Sequence, residues 1–291
     1  AGAIRNQFSA VAGTVDAGTN GGNQAGGGSG GGSADSGTAA DLASAVSKDA
    51  KDWTLDEQKA VAEDISKNGI SSIAYAKAKA AMESETTWSV GLTNHHSMTY
   101  KIIGIYHDDL TDGSGKAGLT FEATSAVSYL AINSKNTTSG GWEASEIRQS
   151  MNSGEIWNLM TSELQSRLSA VKKLTDNQGG GANPDPKNPT VTGDKLFLIS
   201  ATEVWGSSWA EHWNSFEHKG SDVNSEGTQY EYYQYKGASM QNSGAAAFES
   251  SRWTRTINPY SSGYFVYVNA PGNDNGFWAS SRQWLYPVFC F

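Results

Sequence analysis

The spacing of apolar residues is helical up to about residue 85. Thr54 and Glu57 stand three residues apart, as a capping box requires, and predict a helix that ends at Asn68-Gly69. The apolar face of this helix consists of Leu55, Val61, Ala62 and Ile65. A second helix, rich in Ala and Lys, is predicted over 71–83. Together they predict a helical hairpin over 51–85, suited to attachment or docking.

From about residue 86 the period shortens to that of β-strands. Trp88, Val90 and Leu92 alternate with polar residues, and an apolar run follows over 100–106. Further short strands are predicted at LTF (119–121), KLFLIS (195–200), RWTRTI (252–257), YFVYVN (264–269) and YPVFCF (286–291). The chain beyond the hairpin is therefore rich in short strands.

Two helical patterns interrupt these strands. They cover 140–152 and 161–174, and Ser162 with Gln165 forms a predicted capping box for the second. Short mixed strands with two helices predict one compact α+β domain over 86–291. The Pro- and Gly-rich stretch between the second helix and KLFLIS predicts a surface loop.

The first 50 residues differ in kind from the rest. A short amphipathic helix is predicted around Ile4, Phe8 and Val11, and a weak one from Thr38 to about residue 51. Between them, 20–37 has the composition of a flexible linker. We interpret residues 1–50 as an N-terminal attachment segment with a Gly-rich linker. Residues 1–85 as a whole are expected to join copies of the chain, or to join it to other virion or surface proteins.

Composition excludes some classes of function. The formal net charge is −9, whereas nucleic-acid binding needs a basic surface. No apolar run approaches the roughly 18 residues that span a bilayer. The chain has one cysteine, Cys290, so no internal disulfide is expected.

Candidate catalytic or metal-binding groups are few. His107 lies beside the acidic residues Asp108, Asp109 and Asp112, but their spacing matches no calcium loop, and we interpret them as a capped strand end. Other titratable groups lie in polar turns or in a Trp-rich loop: His95, His96, Glu211, His212, Glu217 and His218. No nucleophile accompanies them, so no catalytic residue, metal or cofactor is predicted.

Aromatic residues are concentrated at the C-terminus. They are Trp253, Tyr260, Tyr264, Phe265, Tyr267, Phe277, Trp278, Trp284, Tyr286, Phe289 and Phe291. Several stand among Gly, Asn and Ser in GNDNGFWASSRQWLYP (272–287), where loops are expected and burial is not. Aromatic side chains with Arg and small polar residues between them are typical of binding surfaces. The alternative is a loop that folds back over its own core.

A set of motifs over about 86–291 resembles a known family. They are IIGIYHDDL, GGWEASEIRQSMN, DKLFLIS followed by EVWG, EGTQYEYY, WTRT, FVYVN, PGN and PVFCF. Together they are similar to the variable proteins of diversity-generating retroelements. The resemblance implies a C-type lectin fold and a variable region at 253–291, in which a reverse transcriptase rewrites adenines. The expected role is binding of a host surface protein or glycan, in a phage tail or on a cell surface.

The resemblance also assigns positions. Fixed ones correspond to Trp253, Arg255, Phe265, Val268, Asn269, Gly272, Ala279, Pro287, Phe289 and Cys290. The expected ligand-binding residues are Thr254, Asn258, Tyr260, Tyr264, Tyr267, Asp274, Phe277, Trp278, Arg282, Trp284 and Tyr286. The sequence departs from the family at Val266, where Cys is frequent, and at Trp284, where Gly is usual.

Four other functions are alternatives to host recognition by a phage tail. Formylglycine-generating enzymes share the broad fold but use paired cysteines, whereas only Cys290 is present here. Calcium-dependent lectins carry Glu-Pro-Asn or Gln-Pro-Asp, which this sequence lacks; Asn183-Pro184-Asp185 is the nearest stretch. A structural virion or fibre protein without a specific ligand would suit the Gly-rich N-terminus. A bacterial surface-displayed adhesin of the same fold is the last alternative. The fibre alternative leaves the aromatic loops unexplained.

Overall fold

The computed structural model describes residues 37–177, 189–216 and 222–291. Asp35–Phe291 forms one compact unit. Its helices, numbered α1 to α10, are Ala39–Ser47, Leu55–Asn68, Tyr75–Glu83, Gly141–Ala144, Glu146–Ser153, Glu155–Leu159, Ser162–Arg167, Ala201–Trp205, Ser207–Asn214 and Glu231–Tyr235. Its strands, β1 to β12, are Thr87–Gly91, Ser97–Ile105, Leu119–Ala123, Ser128–Leu130, Val171–Thr175, Thr190–Asp194, Leu196–Phe197, Arg252–Ile257, Tyr264–Val268, Asp274–Trp278, Gln283–Leu285 and Val288–Cys290. The mixed α+β class predicted from the sequence is confirmed.

Helices α1 to α3 pack into the same core as the rest of this unit. Capping boxes start α1 at Thr38 and α2 at Thr54, as their sequences predict. Trp53 stacks on Trp88 of β1 at a ring-centroid distance of 6.0 Å. Ile65 is fully buried in the common cluster. The hairpin expected to stand apart over 51–85 is thus integrated with the domain, because its apolar face is covered by β1, β2 and β3.

Part of the hydrophobic core packs on a five-stranded sheet of order β1-β2-β3-β12-β7. Strand β12 pairs antiparallel with both β3 and β7, so the end of the chain forms an interior strand of the sheet. Phe121, Phe289 and Tyr100 meet there with centroids 5.3–5.4 Å apart. Burial on both faces of β12 explains why PVFCF is apolar at successive positions.

A second five-stranded sheet has the order β10-β9-β8-β11-β4 and contains most of the C-terminal segment. Strands β8, β9 and β10 are antiparallel neighbours, with β10 at the edge. Strand β11 pairs parallel with β8 and antiparallel with β4. The sheet places the predicted variable region on a regular scaffold. A smaller two-stranded sheet pairs β5 with β6.

Some local predictions are wrong. The helix predicted over 161–174 ends at Arg167, and strand β5 follows. Its N-cap is Thr161, whose hydroxyl accepts a hydrogen bond from the Leu164 backbone N–H, so the Ser162 capping box does not form. The Trp-rich stretch that contains Glu211 and His212 was predicted to be a loop, but over 201–214 it forms α8 and α9. Predictions for 1–36, 178–188 and 217–221, including the linker, lie outside the described residues.

Candidate ligand-binding surface

A buried ion network fixes the scaffold strand β8. Arg255 is fully buried and donates to both carboxylate oxygens of Glu203, at 2.6 and 2.9 Å. Lys173 of β5 lies 2.5 Å from Glu203 and 2.7 Å from Asp108. Paired charges of this kind hold their strands in one geometry, because losing either partner leaves a buried charge uncompensated. The network thus makes β8 a rigid support for β9.

Arg252, at the start of β8, joins the two large sheets. Its Nε lies 3.2 Å from Glu122 of β3, and one terminal nitrogen donates to the Tyr233 hydroxyl at 2.8 Å. The guanidinium also lies over the Phe248 ring, 3.9 Å from the centroid. Strand β8 is therefore held at its first residue and near its middle by buried arginines, neither of which reaches solvent.

The hairpin of β9 and β10 has two partly exposed faces. Tyr264 and Trp278 are register partners and lie on one face, with ring centroids 4.4 Å apart. Tyr267 and Phe277 lie on the opposite face, 6.0 Å apart, because neighbouring strand residues point to opposite sides. The predicted ligand-binding residues are therefore divided between two surfaces.

The turn of this hairpin is held in place. Gly272 has a φ of +97°, which favours glycine. A Cβ added there would collide with the carbonyl oxygen of Ser243 and the backbone nitrogen of Ala247. The Asn269 backbone N–H also donates to Asn273 O at 2.9 Å, closing the turn. This close packing accounts for Gly at a position that the resemblance marks as fixed.

A second aromatic group surrounds Tyr260. Its ring lies 5.1 Å from Trp213 and 6.4 Å from Phe216, both contributed by the end of α9 and the residues after it. Asp274 of β10 is half-buried, and the Trp213 side chain and the charge of His212 act to lower the pKa of its carboxyl group. Burial is the larger effect and raises the pKa of Asp274. Local pattern could not predict this group, because α9 and β10 are more than 50 residues apart.

Trp284 lies apart from both the β9–β10 hairpin and the aromatic group around Tyr260. Its ring is 4.8 Å from that of Tyr129, its register partner on β4. Both border a cavity of about 300 Å³ that also contacts Asn94 and His96 of the β1–β2 turn. Pairing between β4 and β11 brings these distant residues together, which local pattern could not predict.

Exposure separates the eleven predicted ligand-binding residues into two sets. Eight are exposed or half-buried: Tyr260, Tyr264, Tyr267, Asp274, Phe277, Trp278, Arg282 and Trp284. Three are buried, which corrects the expectation that they face a ligand: Thr254, Asn258 and Tyr286. The hydroxyl of Thr254 donates to Val266 O at 2.7 Å inside the sheet. The Tyr286 ring packs on Phe248 at 4.9 Å, and its hydroxyl pairs with that of Ser250.

The acidic group around His107 has structural partners. Asp108 accepts hydrogen bonds from Thr120 at 2.6 Å and from Lys173 at 2.7 Å. Burial lowers the pKa of His107, but the carboxylate of Glu231 at 3.0 Å and the charge of Asp108 outweigh it and raise the pKa. Within the described ranges, no group of three or more His, Cys, Asp and Glu side chains is arranged to hold a metal ion.

No described helix is both long and apolar enough to cross a membrane.

The family model described as a domain of unknown function (DUF6273) matches residues 120–291. Neither a curated protein nor a solved structure matches the chain. The matched segment includes all of β4 to β12, β3 except Leu119, and every residue of the predicted variable region.

Proposed function

The chain belongs to the DUF6273 family of domains of unknown function, and we propose that it is a ligand-binding protein that recognises its partner through exposed aromatic residues of β10 and β11. One observation carries the proposal: Phe277, Trp278 and Trp284 are 38%, 45% and 43% exposed although they lie in strands. Large aromatic side chains lose favourable burial when they face water. Their exposure is typical of surfaces that meet a partner.

The rigidity of the support strengthens this interpretation. Phe277 and Trp278 stand on the β9–β10 hairpin and Trp284 stands on β11. Both neighbour β8, which is held by Arg252 and Arg255 in buried ion pairs. Side chains that are already ordered lose little conformational entropy on binding. Trp and Tyr add large contact areas with few rotatable bonds. A fixed frame with aromatic residues at its edge therefore suits recognition more than catalysis.

The resemblance to the variable proteins of diversity-generating retroelements supplies the biological setting of the proposal. In that setting the domain has a C-type lectin fold, and its ligand is a host surface protein or glycan. We favour host-cell recognition at a phage tail, which places the protein in the virion. Display on a bacterial surface as an adhesin is the second setting. The exposed aromatics favour both over a fibre protein without a ligand.

The proposal can be tested by binding of fluorescently labelled protein to a panel of intact bacterial strains. One variant replaces Phe277, Trp278 and Trp284 by Ser. A matched control replaces Ile70 and Ile73, which are 77% and 61% exposed on the helical part, by Ser. We expect the first variant to lose binding by at least tenfold and the control to bind like the parent. Equal binding by all three proteins would contradict the proposal.

A further inference from the structure

The cavity of about 300 Å³ beside Trp284 is lined by three separate segments of the chain. Trp284 of β11 and Tyr129 of β4 contribute their rings, and the pairing of these strands fixes the spacing of the two side chains. Residues between 92 and 97, from the β1–β2 turn and the start of β2, contribute a second segment, and 126–128 contributes the third. The cavity therefore lies where elements of the two five-stranded sheets meet.

The β1–β2 turn at this cavity is held in one conformation. The Leu92 backbone N–H donates to His96 O at 2.8 Å, and Asn94 Oδ1 accepts from the His96 backbone N–H at 3.1 Å. The Thr93 backbone N–H donates to Leu159 O at 2.9 Å, which ties the turn to the end of α6. Because this backbone is already ordered, little conformational entropy is lost when a ligand binds against it.

The polar groups of the lining are suited to a neutral ligand. They are the amide of Asn94, the imidazole of His96 and the hydroxyls of Ser97 and Ser128, and among the described lining residues none is Asp, Glu, Lys or Arg. The larger cavities of about 470 and 380 Å³, by contrast, each contain Lys and Glu side chains. Amide, imidazole and hydroxyl groups both donate and accept hydrogen bonds, as the hydroxyl groups of a ligand do.

Both rings at the cavity have surface open to solvent. Trp284 is 43% exposed and Tyr129 is 44% exposed. Their planes are inclined by 48°, with centroids 4.8 Å apart, so they form an angled apolar surface. The face of an aromatic ring is negative, and it attracts the weakly positive C–H groups that a pyranose sugar presents on its own apolar face.

We propose that this cavity binds one neutral pyranose sugar of a glycan. The apolar face of the sugar packs on Trp284 and Tyr129, and its hydroxyl groups hydrogen-bond to the polar side chains of the lining. A volume of about 300 Å³ is at the lower end of the range for ligand pockets, which suits a single sugar ring. This inference rests on the proposed function and narrows its ligand from a host surface protein or glycan to a glycan.

The test measures binding of four methyl glycosides to the full chain by ligand-observed NMR titration. The sugars are D-galactose, D-glucose, D-mannose and N-acetyl-D-glucosamine, and EDTA is present throughout to exclude binding through calcium. Sorbitol is the control, because it carries hydroxyl groups but has no rigid ring face. We expect at least one glycoside to bind about tenfold more tightly than sorbitol, which corresponds to about 1.4 kcal/mol. Failure of all four to bind more tightly than sorbitol would overturn the inference.

Variants of the parent chain locate the binding. Trp284→Ser and Tyr129→Ser should each weaken binding of that glycoside, and so should the double variant Asn94→Ala/His96→Ala, which keeps both rings. All four side chains are exposed, so these variants should fold, as thermal melts will verify. Tyr235→Ser removes a ring that is 56% exposed on α10 and should leave the affinity unchanged. Undiminished binding by any of the first three variants, or equal loss in Tyr235→Ser, would contradict a sugar in this cavity.

These outcomes are separable from those of the proposed function. If no glycoside binds but the parent still needs Phe277, Trp278 and Trp284 to bind cells, the sugar site is wrong and the recognition surface stands. If a glycoside binds and the cavity variants weaken it, but cell binding does not need the three rings, the proposed function fails while the sugar site remains.

Discussion

Tyr286 and Trp284 offer a sharp test of the surface because they are two residues apart and differ in burial. Tyr286 is 5% exposed and Trp284 is 43% exposed. Replacing a buried aromatic residue by Ala removes its transfer energy and leaves a cavity, at a cost of about 3–5 kcal/mol. Trp284→Ala loses mainly a surface contact with Tyr129, about 1 kcal/mol or less.

These free energies translate into melting temperatures. For a domain of this size each kcal/mol shifts the midpoint by about 2–4 °C. Tyr286→Ala should therefore lower it by roughly 6–20 °C, and Trp284→Ala by no more than roughly 4 °C. Tyr286→Phe separates the ring from the hydroxyl, whose bond with Ser250 is worth about 1 kcal/mol.

The assay is thermal unfolding of the three variants and the parent, followed by circular dichroism and repeated in denaturant to confirm unchanged m-values. No knowledge of the ligand is needed. Comparable destabilisation by Trp284→Ala and Tyr286→Ala would show that Trp284 is structural, and the reasoning from exposure would fail at this position.

Four further predictions concern other parts of the chain. Limited proteolysis of the isolated protein should cut within 13–37, where the sequence has linker composition. Burial raises the pKa of the Glu226 carboxyl group to about 8. The protonated carboxyl group therefore contributes fully to the free energy of unfolding below about pH 4.5, and this contribution is lost as the pH rises to 8. Glu226→Gln should flatten the dependence of the unfolding free energy on pH across this window. Arg255→Met should cost about 3 kcal/mol or more in denaturant melts, because Glu203 loses its bidentate partner. Mass spectrometry of metal content should find no stoichiometric transition metal bound at His107 or His212.

Each of these has a clear contrary result. Resistance of 13–37 to protease would argue against the linker. An unchanged pH profile after Glu226→Gln would mean that its carboxyl is already ionised in the folded protein. Arg282→Met is the exposed control for Arg255→Met, and equal effects would show that the ion network contributes little. One metal ion per chain would reopen the question of a metal-dependent activity.

The local sequence pattern was enough to predict those helices and strands whose formation depends on nearby residues. The capping boxes of α1 and α2 depend on side chains three residues from the N-cap, and both Thr38 and Thr54 could be recognised from spacing alone. Alternation predicted β1, and the runs of 252–257 and 264–268 predicted β8 and β9. Phe265 and Phe289 were assigned to fixed positions and are fully buried.

The candidate site was predictable only in part. Composition pointed to the C-terminal aromatics, and Phe277, Trp278 and Trp284 are indeed exposed. Composition did not predict that β10 and β11 are strands, because Gly, Asn and Ser are typical of loops. These strands form because pairing with β9 and β8 satisfies their backbone hydrogen bonds.

What the sequence by itself determined is the mixed α+β class, the capped helices and the concentration of aromatics near the end of the chain. Tertiary structure decided which of those aromatics face solvent. Tyr286 is covered because Phe248 reaches it, while Trp284 stays open beside Tyr129. Burial depends on contacts between residues far apart in the chain, and no local period carries that information.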